Sequence, residues 1–337
     1  MLERSVHLRF GLRGTRRYSV SNLSEDLSDA RFLRYWLEYL KPSLGALSRS
    51  NTQDNLNAEQ VGNLPFSSLR VDEQRAIADY LDAETARIDA LIAKKQQLSR
   101  LVDERLTEGI RDLVTGRQEE GERWEPGPRW LGPVPRSWQP LKVAWHKHTG
   151  SGTTPASDTP QFYSDNGIPW VTTSELREAV ITATTKSVSP AAVEEYSALK
   201  VFPVGTVLVA MYGATVGRVG VLGIPATTNQ ACCALFGGTD LHQDFLYWWL
   251  LVHRSELMDL AYGAGQPNIS QDTLRSLRIP GPGLEGQARI ARAAIRLNER
   301  ATATVSALGR QILLLQEHRQ ALITSAVTGQ HWVPGVA

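Results

Sequence analysis

The sequence predicts a mixed α/β protein: a β-rich domain combined with two long helices that pair as an antiparallel coiled coil. Three observations carry this reading. An aromatic hexapeptide occurs twice, as FLRYWL at Phe32 to Leu37 and FLYWWL at Phe245 to Leu250. Two stretches almost free of proline and glycine each run for more than forty residues. Between them lies a segment of short β-branched runs broken by Gly, Pro, Thr and Ser turns.

The two hexapeptides define an offset of 213 residues that holds without a gap. Asn55-Leu56 falls on Asn268-Ile269, Leu64 on Leu277, Gln74 on Gln287 and Ile77 on Ile290. The match closes with Val114-Thr115-Gly116 on Val327-Thr328-Gly329. At this period the duplication is of a whole domain and not of a solenoid unit.

Residues 1–66 form the start of the first copy, and by the offset nothing in it matches Trp130 to Gly213. The chain is therefore expected to begin inside its first repeated domain, with 1–66 as the C-terminal remnant. Residues 67–117 hold the first long helix. Asp72 and Glu73 stand at its front, where carboxylates complement the helix dipole, and Gly116 sits just past its end. Leu81, Ile88, Leu91, Leu98 and Val102 keep a heptad-like spacing interrupted by Glu84 and Lys95. Such a stripe needs a partner. The repeat supplies one at 283–330, with Leu297, Leu308, Ile312 and Leu315 on its apolar face. An intermolecular coiled coil is the alternative arrangement.

Residues 118–129 are dense in charge, Pro and Gly, and read as a surface linker. A β-rich domain is expected over 130–282, and 331–337 is a short tail. Adjacent Cys232 and Cys233 read as buried, reduced strand residues. The N-terminus lacks the apolar core of a secretory signal, although its arginines leave an organelle presequence as an alternative. No run approaches a membrane span. A cytoplasmic protein is expected.

Hydrophobic residues make up 42% and charged residues 21%, with a net charge of +1, so any polyanionic partner must be met by a local patch. There is no phosphate-binding glycine loop, no GxGxxG and no GxSxG. The glycines of GATVGRVG suit hairpin turns better than a dinucleotide. His146 and His148 have no further ligand at metal spacing. No lysine has an acid two positions before it, which excludes the E-x-K nuclease element, and neither NPP nor DPP is present for amino-methyl transfer. A binding protein that leaves chemistry to a partner is expected, without cofactor or metal of its own.

The five tryptophans from Trp124 to Trp170 could stack bases, but core anchors and hinge packing are the preferred reading. Binding is assigned instead to three polar turn clusters, HKHTGSGTTP, YGATVGR and GAGQPNIS, whose side chains suit phosphates and base edges. From these and the flanking cations come the candidates Lys142, Lys147, Ser151, Thr153, Thr154, Tyr212, Thr215, Arg218, Gln266 and Asn268.

WLGPVPRSW, GIPWVTTSEL, VLVAMYGATVGRVGVLGIPATTNQACCAL, QPNISQDTLRSLRIPGP and the GQARI helix start, in this order and with the duplication, resemble the DNA-specificity subunit of type I restriction-modification systems. In the first copy, DNLNAEQVGNLPF and DEQRAIADYLDAETARIDALI match the same end of the module. The resemblance implies a non-catalytic subunit with two target-recognition domains, each reading one half of a bipartite double-stranded DNA site. It also implies docking of methyltransferase subunits that hold S-adenosylmethionine, and of an ATP-driven restriction and translocation subunit. The shortened first copy adds self-association or a complementing fragment as further expectations, with a degenerate, non-DNA-binding scaffold as the rival function.

Overall fold

The computed structural model describes residues 18–19, 28–44, 63–67, 69–127, 129–261 and 268–336. They divide into two compact units, one of residues 1–101 with 304–337 and one of 102–303. Two helices of 44 residues, Val71–Val114 and Leu284–Val327, contribute to both. Their bounds differ by the same offset of 213 that relates the hexapeptides.

In the first unit, α1 (Ala30–Leu44) presents Phe32, Tyr35, Trp36 and Leu40 to a core shared with Ile77, Ala78, Leu81 and Ile323. A two-stranded ladder of β1 (Tyr18–Ser19) and β2 (Pro65–Phe66) closes this unit. Trp36 donates its indole N–H to the Pro65 carbonyl at 2.7 Å, so the aromatic anchor is also polar-satisfied. Buried Gln74 accepts from the Asp29 amide (3.0 Å) and donates to the Leu69 carbonyl (2.8 Å), tying α1 and the entry loop to the long helix.

The helix partners run antiparallel within each unit. In the first, Lys95 meets Gln311 (2.6 Å) and Asp89 meets Arg319 (3.0 Å); in the second, Gly109 faces Leu297 and Glu119 faces Arg289. The seam of the first helix uses Leu81, Thr85, Ile88, Ile92, Lys95, Ser99, Val102 and Leu106, a strict alternation of four and three. Leu91 and Leu98 do not belong to it. Each is 48% exposed, one residue before the true seam positions Ile92 and Ser99. The sequence pattern favoured the leucines because the seam itself is polar at Lys95 and Ser99. On the second helix Leu308 is buried, while Leu297, Ile312 and Leu315 are partly covered as a pairing face requires.

The second unit opens with β3 (Arg123–Trp124) paired to β4 (Val134–Pro135), followed by β5 (Gln139–Lys142) and a single helical turn at Val143–His146. Next come β6 (His148–Gly150), β7 (Tyr163–Val171), β8 (Val180–Ile181), β9 (Ser187–Val188) and the short α2 (Pro190–Glu195). Then follow β10 (Val207–Ala210), β11 (Val219–Leu222), β12 (Thr227–Thr228) and β13 (Cys232–Phe236). Helices α3 (Gln243–Val252), α4 (Arg254–Asp259) and α5 (Gln271–Ser276) precede β14 (Arg278–Gly281), which pairs back with β5.

The main sheet has the order β6-β13-β10-β11-β8, and a smaller one the order β12-β7-β9. Helix α3 is apolar all round and buries Phe245 to Leu250, as its composition requires. Cys232 and Cys233 are free and buried in β13, where burial pushes both thiols well above the ordinary range.

The repeat is kept at atomic level. Gln287 accepts from the His242 amide (2.7 Å) and donates to the Pro282 carbonyl (2.8 Å), partners that lie 213 residues after those of Gln74. Gly116 and Gly329 both end their helices at positive φ, +61° and +72°. The register of the closing ladder also repeats. Ser19 faces Pro65 and Tyr18 faces Phe66, as Lys142 faces Arg278 and Leu141 faces Ile279. By this register Ser19 stands in the first ladder where Lys142 stands in the second.

Two outcomes follow from this packing. Ile88→Ala, at a seam position 6% exposed, should cost about 2–3 kcal/mol in urea unfolding, whereas Leu98→Ala should stay within about 0.5 kcal/mol. His253 is stacked on Trp249 (4.4 Å between centroids), with Nδ1 2.8 Å from the Trp249 carbonyl oxygen, and burial holds its pKa down to about 4 from 6.5. The unfolded chain therefore takes up this proton first as pH falls. Stability present above pH 6.5 is lost between 6.5 and 4, by up to about 1.4 kcal/mol per pH unit. Unfolding of His253→Phe, measured across that window, should lack this one-proton slope.

Candidate nucleic-acid interface

Three neighbouring strands of the main sheet bring their ends together. Because β13 runs antiparallel to both β10 and β6, the segments after Gly150, after Ala210 and before Cys232 emerge at one end. Thr154 Oγ1 donates to Gln230 Oε1 (2.7 Å), and the Met211 amide to the Ala231 carbonyl (2.8 Å). The Ile269 amide donates to the Met211 carbonyl (2.9 Å), and Tyr212 and Asn268 form an isolated antiparallel bridge. The three polar turn clusters thus converge on one surface.

Its shape depends on close backbone approaches. A Cβ at Gly152 would lie 1.7 Å from the Thr228 carbonyl oxygen, and the Gly152 amide donates to Thr228 Oγ1 (2.9 Å). Only glycine lets this loop lie against β12. Ser151 and Thr153 are half-buried there, with the Thr153 carbonyl accepting from the Trp170 indole (3.1 Å). Thr154, Tyr212 and Asn268 are exposed, and Thr215 is half-buried. Gln266 lies outside the described residues.

Two predicted cation contacts need correction. Lys147 is only 7% exposed, its ammonium donates to the Gly237 carbonyl (2.8 Å), and burial lowers its pKa to about 8. It closes the helical turn Val143–His146 just before β6 and turns inward to the Gly237 carbonyl, not outward to a phosphate. Arg218 is held by Glu178 through two bonds, Nε to Oε1 at 2.8 Å and Nη2 to Oε2 at 2.7 Å. Glu178 is itself fixed in the left-handed region (φ +56°), and its carbonyl accepts from the Tyr247 hydroxyl at 2.7 Å. The Arg218 charge is therefore compensated and serves to position the loop.

Residues not singled out by sequence complete the surface. Thr149 Oγ1 sits at hydrogen-bond distance from Gln271 Nε2 (2.9 Å) and Arg275 Nη1 (2.8 Å), on a helix capped by the Ser270 hydroxyl, which accepts from the Thr273 amide at 3.0 Å. A Ser followed by a short apolar-periodic run in QPNISQDTLRS was the available signal for that helix. Among the described residues no group of three or more His, Cys, Asp and Glu could hold a metal ion, and no helix is long and apolar enough to cross a membrane.

A β-rich domain with polar loops gathered at one sheet end, set on long antiparallel helices, defines a macromolecule-recognition architecture. Residues 147–304 match the family model described as type I restriction modification DNA specificity domain. The MjaIX specificity subunit of Methanocaldococcus jannaschii is 28% identical over 166 residues, 48% of this chain and 38% of that protein. The EcoR124I/EcoR124II specificity subunit of Escherichia coli is 22% identical over 171 residues, 49% of this chain and 42% of that protein. The matched stretch thus spans less than half the length of these curated relatives.

Among solved structures, a chain of a type I R-M system described for complex assembly and conformational transition aligns with a TM-score of 0.66 at 20% identity, covering 91% of this chain and 73% of that one. The HsdS subunit from Thermoanaerobacter tengcongensis aligns at 0.53 and 19% identity, covering 89% and 70%. Residues 147–304 thus match the DNA specificity domain of type I restriction-modification systems, and the fold resembles that of type I specificity subunits.

The inward Lys147 makes a testable contrast. Lys147→Met should raise stability by roughly 1 kcal/mol near pH 7 by removing a desolvated charge, and should leave the salt dependence of duplex binding unchanged.

Proposed function

We propose that this chain is a non-catalytic DNA-reading subunit of a type I restriction-modification complex, and that its second unit holds one half-site of double-stranded DNA. The observation that carries this reading is the convergence of segments 151–154, 212–218 and 268–270 at one end of the main sheet. Thr154, Tyr212 and Asn268 are the exposed groups available there for base edges. Methyltransferase subunits holding S-adenosylmethionine would dock on the long helices, and a separate ATP-driven subunit would translocate and cleave. This chain would direct them to a site and hold no cofactor.

The shortening of the first copy favours a second reading, in which the chain is a scaffold that occupies methyltransferase subunits without choosing DNA. It also leaves room for self-association or a complementing fragment that supplies a second reading domain. Selection from a randomised duplex pool, with the chain co-expressed with its methyltransferase, separates these. A single enriched half-site is expected. A palindrome would mean self-association, a gapped asymmetric site would mean a complementing fragment, and retention without enrichment would establish the scaffold.

A further inference from the structure

Of the five tryptophans between Trp124 and Trp170, four pack as anchors and one does not. Trp138 and Trp170 are buried, Trp124 and Trp130 are half-buried, and Trp145 is 68% exposed. Its ring is flanked by two cations, with Lys142 Nζ 5.3 Å and Arg278 Cζ 5.7 Å from the centroid. Neither cation has an acidic partner among the described residues.

The three side chains come from the β5–β14 ladder and the turn that follows it, and the Val143 amide donates to the Leu277 carbonyl (3.0 Å) to fix that turn. The patch continues into the reading surface through Arg275, bound to Thr149 at the start of the first polar loop. Arg275 also faces Asp272 at 4.0 Å.

Comparison with the first copy separates reading from docking. Groups that build the module, such as Gln74 and Gln287, are kept in both copies with the same bonds. The patch is not. By ladder register the positions of Lys142 and Arg278 are held in the first copy by Ser19 and Pro65. A surface made to dock a partner common to both modules would appear twice; this one appears only where the reading sheet is present.

We propose that Lys142, Trp145 and Arg278 form a second contact to double-stranded DNA, flanking the loop site. The two cations hold phosphates, and the indole lies against the deoxyribose between them. Uncompensated cations beside an exposed aromatic suit a polyanion, because a neutral apolar partner would have to bury both charges. The contact is sequence-independent and sets affinity and register, while the loops read bases. It rests on the reading of the second unit as a DNA-binding domain.

The test is fluorescence anisotropy of the full chain on a short labelled duplex of mixed sequence over a salt series. The variant Lys142→Gln/Arg278→Gln should reduce the slope of log K against log salt by about two, and Trp145→Ala should weaken binding roughly tenfold while Trp145→Phe retains most of it. The sequences retained from a randomised pool should not change. Duplex binding by the parent chain with unchanged slope and affinity in the variants would overturn the patch and leave the loop reading intact. No binding by the parent chain would overturn both. Unchanged DNA binding with loss of co-purifying methyltransferase would make the patch a protein dock and also overturn it. If Trp145→Ala does not fold, the paired cation variant alone decides the outcome.

Discussion

The antiparallel pairing of two 44-residue helices is the constraint from which the rest of the molecule follows. At a rise of 1.5 Å per residue each is about 66 Å long, and neither could hide its apolar stripe or hold its length alone in water. Within the first unit the pairing face carries Leu81 and Ile88 on one helix and Leu308, Ile312 and Leu315 on the other. Ile110 and Val114 lie in the core of the second unit, and Ile323 and Val327 in the core of the first.

The buried glutamines explain how a β-rich domain can be attached to such a helix at a defined angle. Gln74 and Gln287 each span three chain segments with a single amide, donating to a carbonyl just before the helix and accepting from the amide that leads into the aromatic helix. A buried amide with both ends bonded rigidifies its surroundings, and loss of either partner would strand a polar group out of water. Arg111 acts similarly in the second unit through Glu256 and the Val252 carbonyl. Polar bonds set the angles, and apolar burial holds them.

Much of this was legible in the sequence, and the failures have physical causes. The offset of 213 was readable because aromatic anchors, glutamines and helix-ending glycines recur as whole side chains with fixed geometric jobs. The seam was misread at Leu91 and Leu98 because the pairing face takes in Lys95, bonded to Gln311, and the small polar Ser99, which hydrophobicity alone cannot see. Lys147 was misjudged because its inward partner, the Gly237 carbonyl, is ninety residues away in sequence. Arg218 was misjudged because its partner Glu178 is forty residues away and held at an unusual φ. The convergence of the three polar clusters required the strand order, which no local pattern encodes.

The closing ladder has a consequence for how such a chain can change. In the first copy its strands are joined by 45 residues (20–64) and in the second by 135 (143–277), with the same register in both. The base of the module is therefore indifferent to what is threaded between its two strands, and the reading sheet is an insert in a frame that closes without it. Loop-closure entropy grows only with the logarithm of length, so the frame loses little in accepting or shedding the insert. Lys142 and Gln243 bound this insert, while the core it shares with Ile110, Val114, Ile290 and Ala294 ties its sheet to the long helices.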